Sequence, residues 1–139
     1  MNTRIELVNC KTAPTPLGNY SHAAVYGDLV FLAGIAGRDP KTNQVPGLKL
    51  DSDGKKLGYD IRAETRETME NIKMILESAG STLEKVLDVN VYLLDMKDFG
   101  GYNEVYSEYF PKHFPARTTV AVSGLPGNIS IEMKVVAAK

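Results

Sequence analysis

The stretch Phe114-Pro115-Ala116-Arg117-Thr118-Thr119-Val120-Ala121-Val122, followed by Ile131-Glu132-Met133-Lys134-Val135, decides how this chain is read. Both are β-branched runs, and each carries a charge where a sheet prefers apolar or neutral residues. Period-two alternation puts Thr118, Val120 and Val122 on one face of the first run and Arg117, Thr119 and Ala121 on the other. In the second run Ile131, Met133, Val135 and Ala137 form the apolar side, and Glu132 points away from it. A hairpin closed around Leu125-Pro126-Gly127-Asn128 would set Thr119 opposite Glu132, with Arg117 diagonally beside it in a shared pocket.

Working outward, Arg4 to Asn9 is predicted as a short first strand, and Pro14 and Pro16 exclude a helix after it. Ala23-Ala24-Val25-Tyr26 and Leu29 to Ala33 flank Gly27-Asp28, the pattern of a tight hairpin. Gly34 to Tyr59 is too long for a simple connection and is expected to be a functional loop or an excursion with a small hairpin of its own. Within it Asp51-Ser52-Asp53-Gly54 reads as a surface turn, because Lys55 and Lys56 replace the later ligands of a calcium loop. Asp60 is placed to cap a helix running to Ala79, with Thr65, Thr68, Met69, Ile72, Ile75 and Leu76 at helical spacing and Gly80 ending it. A single turn at Ser81-Thr82-Leu83-Glu84 leads into a strand from Val86 to Leu94, with Asp88 and Asn90 on one side. A second helix runs from about Asp98 to Phe110, striped by Tyr102, Val105, Tyr106 and Tyr109 and stopped by Pro111 and Pro115.

This order predicts a single α+β domain, residues 1–139, with two helices on one face of a mostly antiparallel sheet. Arg117, Thr119 and Glu132 are expected on the opposite face. Association with identical sheets would bury that face and turn the charged pair into the lining of a cleft between subunits.

The chain has 139 residues, 43% hydrophobic and 24% charged, with a net charge of −1. No basic stripe marks a nucleic-acid binder. The N-terminus, Met1 to Glu6, lacks the apolar core of a signal peptide and no run approaches a membrane span, so the reading is a cytoplasmic protein. One cysteine, Cys10, excludes an internal disulfide and a Cys-x-x-Cys motif. His22 and His113 have no metal-ligand spacing, no Gly-x-Ser-x-Gly elbow exists, and neither a dinucleotide fingerprint nor a Gly-Lys-Ser/Thr phosphate loop is present. The reading therefore assigns no metal and no cofactor. What remains is a cation with a nearby carboxylate. Arginine in a partly dry cleft can clamp a substrate carboxylate, and glutamate can deprotonate water. On the residues alone, a structural Arg117–Glu132 salt bridge is an equal reading.

Pro115-Ala116-Arg117-Thr118-Thr119-Val120 and Ile131 to Ala137 resemble the Rid family of reactive-intermediate deaminases, also called YjgF or L-PSP proteins. The resemblance extends through Gly18-Asn19-Tyr20-Ser21-His22, Leu29 to Gly34, Asp39-Pro40-Lys41-Thr42, Glu70-Asn71-Ile72 and Asn103-Glu104-Val105-Tyr106. It implies a chorismate-mutase-like fold and a homotrimer whose sheets form a central barrel, with three clefts between subunits. It further implies that Arg117 anchors a substrate carboxylate, Glu132 places the attacking water, Tyr20 closes the cleft, Asn103 donates to the ligand, and Gly34 admits a close backbone approach. The implied reaction is hydrolysis of an enamine or imine to ammonia and a 2-keto acid, without metal or cofactor.

Leu48 to Tyr59 and the run from Asp98 to Tyr106 resemble 2-aminomuconate deaminases more than the generic 2-aminoacrylate enzyme, which carries cysteine where Thr119 stands. A dicarboxylate needs a second cation, for which Arg38 is the loop candidate. Ala33 replaces a usual serine, removing one ligand-contacting hydroxyl. Beside the deaminase stand two other readings, a non-catalytic trimer that binds small carboxylates and an endoribonuclease or translation inhibitor.

Overall fold

The computed structural model describes residues 4–139, so Met1 to Thr3 of the N-terminal reading lie outside the described residues. The chain runs β1 (Ile5–Val8), β2 (Ala23–Tyr26), β3 (Leu29–Leu32), β4 (Lys49–Leu50), β5 (Lys56–Gly58), α1 (Ile61–Ser78), β6 (Val86–Leu93), α2 (Phe99–Tyr109), β7 (Ala116–Ala121) and β8 (Ile131–Ala138), with short 3-10 turns ahead of β6 and α2. Six strands form one sheet in the order β1-β2-β3-β8-β6-β7, and β4 and β5 pair separately as the small hairpin of the long excursion. All neighbours in the large sheet are antiparallel except β6 and β7.

Local signals act as anticipated. Gly27 takes φ 60° in the β2–β3 turn, which an L side chain resists. The Asp60 carboxylate accepts from the backbone N–H groups of Arg62 and Ala63, and Gly80 at φ 83° follows the last turn of α1. Ile72, Ile75 and Leu76 of α1 and Tyr102 and Tyr106 of α2 pack with Val30, Leu32, Val89, Val91, Met133 and Val135 in one core on one side of the sheet. Arg62–Glu104 and Arg66–Glu108, both at 2.7 Å, bridge the helices, but their exposure limits each to about 0–1 kcal/mol.

The expected β7–β8 hairpin does not form. After β6 the chain crosses over through α2 and returns as β7 parallel to β6, as a β-α-β unit does. The segment after β7 then passes over β6 to start β8 on β6's other edge, with Val122 N–H on Leu93 O and Leu94 N–H on Ser130 O. Arg117 pairs with Val89, which pairs with Val135, whereas Glu132 pairs with Tyr92, which pairs with Val120. Val89 and Val135 are buried beneath the helices. Arg117 and Thr119 therefore lie on the helix side and Glu132 on the open side, so the shared-face expectation is wrong for the first two.

Between β3 and β8 the register also slips. Phe31 pairs with Val136 and Ile35 with Met133, leaving Leu32, Ala33 and Gly34 against Val135 and Lys134. This is a bulge, and the Lys134 ammonium donates to Leu32 O at 2.7 Å beside it. Met133, fully buried and bonded through its backbone to Ile35, ties the bulge to the core. Met133→Ala is expected to cost about 2–5 kcal/mol in urea unfolding, with an unchanged denaturant slope.

Candidate functional site

Glu132 and Arg117 open onto separate cavities. The larger, about 750 Å³, is lined by Glu132, Gly34, Tyr20, Arg38 and Asn71 together with an apolar wall that includes Pro16, Leu48, Leu50 and Ile129. The smaller, about 430 Å³, is lined by Arg117, Asn103, Tyr106 and the loop residues Phe114 and Pro115. The chain thus brings together Glu132, Tyr20, Gly34 and Arg38 in one place and Arg117 with Asn103 in another.

The bulge explains the first grouping. It turns Gly34 onto the open face of β8, and a Cβ built there would stand 2.8 Å from Glu132 Oε2. Only glycine leaves that oxygen its position. Glu132 accepts no hydrogen bond from the described residues, and burial pushes its carboxyl above the usual 4.5, with Lys134 pulling the other way. A carboxyl so tuned exchanges protons closer to neutrality than an exposed glutamate.

The Pro-rich connection forms another wall. His22 accepts from Cys10 N–H at Nδ1 (2.9 Å), so Nε2 carries the proton and donates to Pro14 O (2.7 Å). Both ring nitrogens are engaged in fixing this segment. Tyr20 is half-exposed, and its hydroxyl accepts from Leu17 N–H at 3.2 Å. Arg38 is held by Thr15 O at 2.9 Å and by the Asn43 side chain. Asn71, fully buried on α1, donates to Ala36 O (3.0 Å) and Arg38 O (2.8 Å) and leaves its own Oδ1 without a partner. It sets the path of the loop that carries Arg38.

Around Arg117 the helix supplies a shelf. The guanidinium lies 4.6 Å from the Tyr106 ring centroid, 5.5 Å from Tyr102 and 5.7 Å from Phe99, while Nη1 donates to Asn103 Oδ1 at 2.7 Å. No carboxylate of the described residues lies within 4.0 Å of it, so the structural salt bridge with Glu132 is absent. An arginine stacked on aromatics and oriented by an amide is prepared for a bidentate carboxylate. Thr119 shares a 2.5 Å hydrogen bond with Tyr102, which anchors the shelf. The buried Tyr106 hydroxyl has no partner and is pushed up to about 12 by burial against the pull of Arg117, so it remains a neutral donor. Sequence reading placed Tyr106 in the core stripe and Asn71 in a motif without a role; only the strand order shows that one lies under Arg117 and the other behind Arg38.

The fold is thus an α+β sheet with two helices on one face, holding an arginine without a carboxylate partner among the described residues in one cavity and a half-buried glutamate in another. The chain belongs to the L-PSP, or Rid, family: the model described as Endoribonuclease L-PSP matches residues 10–139. A RutC family protein of Pyrococcus horikoshii is 43% identical over 134 residues, covering 96% of this chain and 98% of that protein. The 2-iminobutanoate/2-iminopropanoate deaminase of Dermatophagoides farinae is 32% identical over 92% of this chain and 91% of its own. Among solved structures, that of E. coli TdcF with bound serine aligns at TM-score 0.84 and 27% identity, covering 96% of this chain and 98% of that one.

Gly34→Ala is expected to keep folding stability within about 1 kcal/mol, because the clash falls on the movable end of a side chain. It should displace the Glu132 carboxylate, and carboxyl 13C NMR should show the Glu132 titration, above 4.5 in the wild type, shifted in the variant.

Proposed function

We propose that the protein is a metal-free hydrolytic deaminase of enamine and imine 2-amino acids, working as a homotrimer with its sites between subunits. The observation that carries this is the separation of Arg117 and Glu132 on opposite sides of one sheet. Neither half-site is complete alone, and Arg117 lies on the edge strand, where a second copy can meet it. The open face supplies a reason to associate: Ile5, Tyr26 and Leu29 align across β1, β2 and β3, Leu7 and Phe31 flank Ala24, and all five large side chains are exposed. The deaminase relatives support the reaction class.

In this mechanism the Arg117 guanidinium clamps the substrate carboxylate, with Asn103 holding one arm and its amide nitrogen facing the ligand. The enamine tautomerises to the imine, and water adds to the C=N carbon as Glu132 takes its proton. Glu132 returns the proton to nitrogen and then carries the carbinolamine hydroxyl proton to the same nitrogen as the C–N bond breaks, so that ammonia leaves with the 2-keto acid. Tyr20 closes the cleft, Gly34 gives the ligand and Glu132 room, and Thr119 steadies the aromatic shelf through Tyr102. Arg38, on the wall of the cavity that Glu132 lines, takes the far carboxylate of a dicarboxylate substrate such as 2-aminomuconate. Orientation and one positioned water suffice because the uncatalysed barrier is low.

Ammonia release from enzymatically generated 2-aminomuconate and 2-aminoacrylate tests the reading. Wild type should turn over the dicarboxylate faster, Arg117→Ala and Glu132→Gln should each lose about 100-fold or more in kcat/KM, and Arg38→Met should lower turnover of the dicarboxylate alone. Activity should fall on the acid side through a pH above 4.5, as the Glu132 base becomes protonated. A folded protein that binds pyruvate but releases no ammonia from either substrate would instead be a carboxylate-binding module.

Subunit mixing tests the shared site. If each site takes Arg117 from one chain and Glu132 from its neighbour, every mixed trimer of Arg117→Ala and Glu132→Gln chains regains one intact site. Equal mixing after reversible dissociation should restore about a quarter of wild-type activity. Zero recovery from verified mixed trimers would place both residues in the same subunit's site.

A further inference from the structure

The proposed mechanism leaves a fully buried carboxyl group unused, one that burial pushes upward while the Ser130 N–H and Lys56 pull it back. Glu64 on α1 is fully buried, and its Oε2 accepts from the backbone N–H groups of Ser130 (2.6 Å) and Ile131 (2.9 Å), at the start of β8. Its Oε1 has no partner. Ser130, itself buried, is held from the other side, because the Lys56 ammonium donates to its hydroxyl. Lys56 belongs to β5, and its ammonium also stands 4.5 Å over the centroid of the Tyr59 ring. The Tyr59 hydroxyl donates to Asp98 Oδ2 at 2.7 Å, immediately before α2.

A carboxylate withdrawn from water is costly even when paired, and an apolar side chain of the same volume often packs as well or better. Packing alone therefore gives no reason for Glu64. Its connections do. Ser130 lies between Ile129, which lines the larger cavity, and the strand that carries Glu132 two residues on. Lys56 ties in the β4–β5 hairpin, whose Leu50 lines the same cavity. Tyr59 and Asp98 extend the chain of contacts to α2, which carries Asn103.

We propose that Glu64 is a positioning residue: through Ser130 and Lys56 it locks the β4–β5 hairpin to the first residues of β8, and so fixes Glu132 and the cavity wall around it. Two functions are combined in one side chain. The acceptor oxygen holds the backbone of β8, and the negative charge favours the Lys56 ammonium where it donates to Ser130 beside it, so that the hairpin stays docked. Glutamine at 64 keeps the first and removes the second, whereas alanine removes both. Loss of Lys56 leaves the β8 bonds in place and frees the hairpin. The kinetic part rests on the proposed function; the lock itself does not.

The test uses the full chain as wild type, Glu64→Gln, Glu64→Ala, Lys56→Met and the Gln/Met double variant. Amide hydrogen exchange is read by NMR at Ser130, Ile131 and residues 49–58, and kcat and KM are measured separately on the better of the two substrates above. Glu64→Gln and Lys56→Met should each speed exchange in 49–58 about tenfold or more while Ser130 and Ile131 stay protected. Both should raise KM about tenfold with kcat within about twofold, and the double variant should be no worse than either, since both act on the hold of Lys56 at Ser130. Glu64→Ala should also expose Ser130 and Ile131 and lower kcat, with glutamine at the same position rescuing kcat. If alanine prevents folding, the glutamine and methionine variants carry the test. Unchanged exchange in 49–58 in both, or independent additive effects on KM, overturns the proposal. A wild type with no turnover defeats the deaminase reading and leaves the exchange result to decide the lock.

Discussion

Strand β8 pairs with β3 along one edge and β6 along the other, and its inward side chains Ile131, Met133, Val135 and Ala137 are all buried. Because side chains alternate strictly along a strand, burying these four fixes the opposite direction for Glu132, Lys134 and Val136. The slip nearest Glu132 is on the β3 side, where the bulge at 32–34 turns Gly34 against the Glu132 carboxylate and frees the Leu32 carbonyl for Lys134, while a second irregularity against β6 falls at the far end, at Val86 and Asp88. A register change of one residue in β8 would carry the glutamate into the core. The position of Glu132 thus follows from apolar packing several residues to either side of it, and the energy that keeps it there is mostly hydrophobic.

The same alternation separates the two charges. β7 lies parallel to β6, so Arg117 shares its direction with Val89 and Val135 and is met by the aromatic residues of α2. On an edge strand that side is covered only in part, which leaves the guanidinium stacked on rings yet accessible. Glu132 faces the open side in surroundings apolar enough to raise its carboxyl above the ordinary value. Had the charges lain together, each would have neutralised the other, and neither the free cation nor the tuned acid would exist in the isolated chain.

What was legible in the sequence divides along the range of the interactions. The Gly27 turn, the Asp60 cap, the Gly80 stop and the tyrosine stripe of α2 depend on neighbours within a few residues, and they stand where the pattern placed them. The family motifs single out Arg117 and Glu132, and the fold sets them on opposite sides of one sheet. Strand order was not legible, because a hairpin and a crossover leave the same two alternating runs in the sequence. Choosing the hairpin put Arg117 and Thr119 on the wrong face. Glu64 was hidden for another reason: an acid in the first turn of a helix ordinarily complements the helix dipole at the surface, and only the arrival of Ser130 and Ile131 from 66 and 67 residues away makes it a buried acceptor.

Buried polar groups are where this fold departs from the simplest way to fill its core. Glu64, Asn71 and Tyr106 each leave one side-chain oxygen unpartnered out of reach of solvent. Each also borders something the site needs held: the start of β8, the loop of Arg38, and the shelf under Arg117. An apolar residue at any of the three could contribute as much to stability, but it could not fix a backbone carbonyl, an amide or a guanidinium in one place. Asn71 makes the point most directly. Its two donors are spent on Ala36 O and Arg38 O, and these bonds hold an irregular segment that no strand or helix orders. The unpartnered oxygens are thus the cost of that placement.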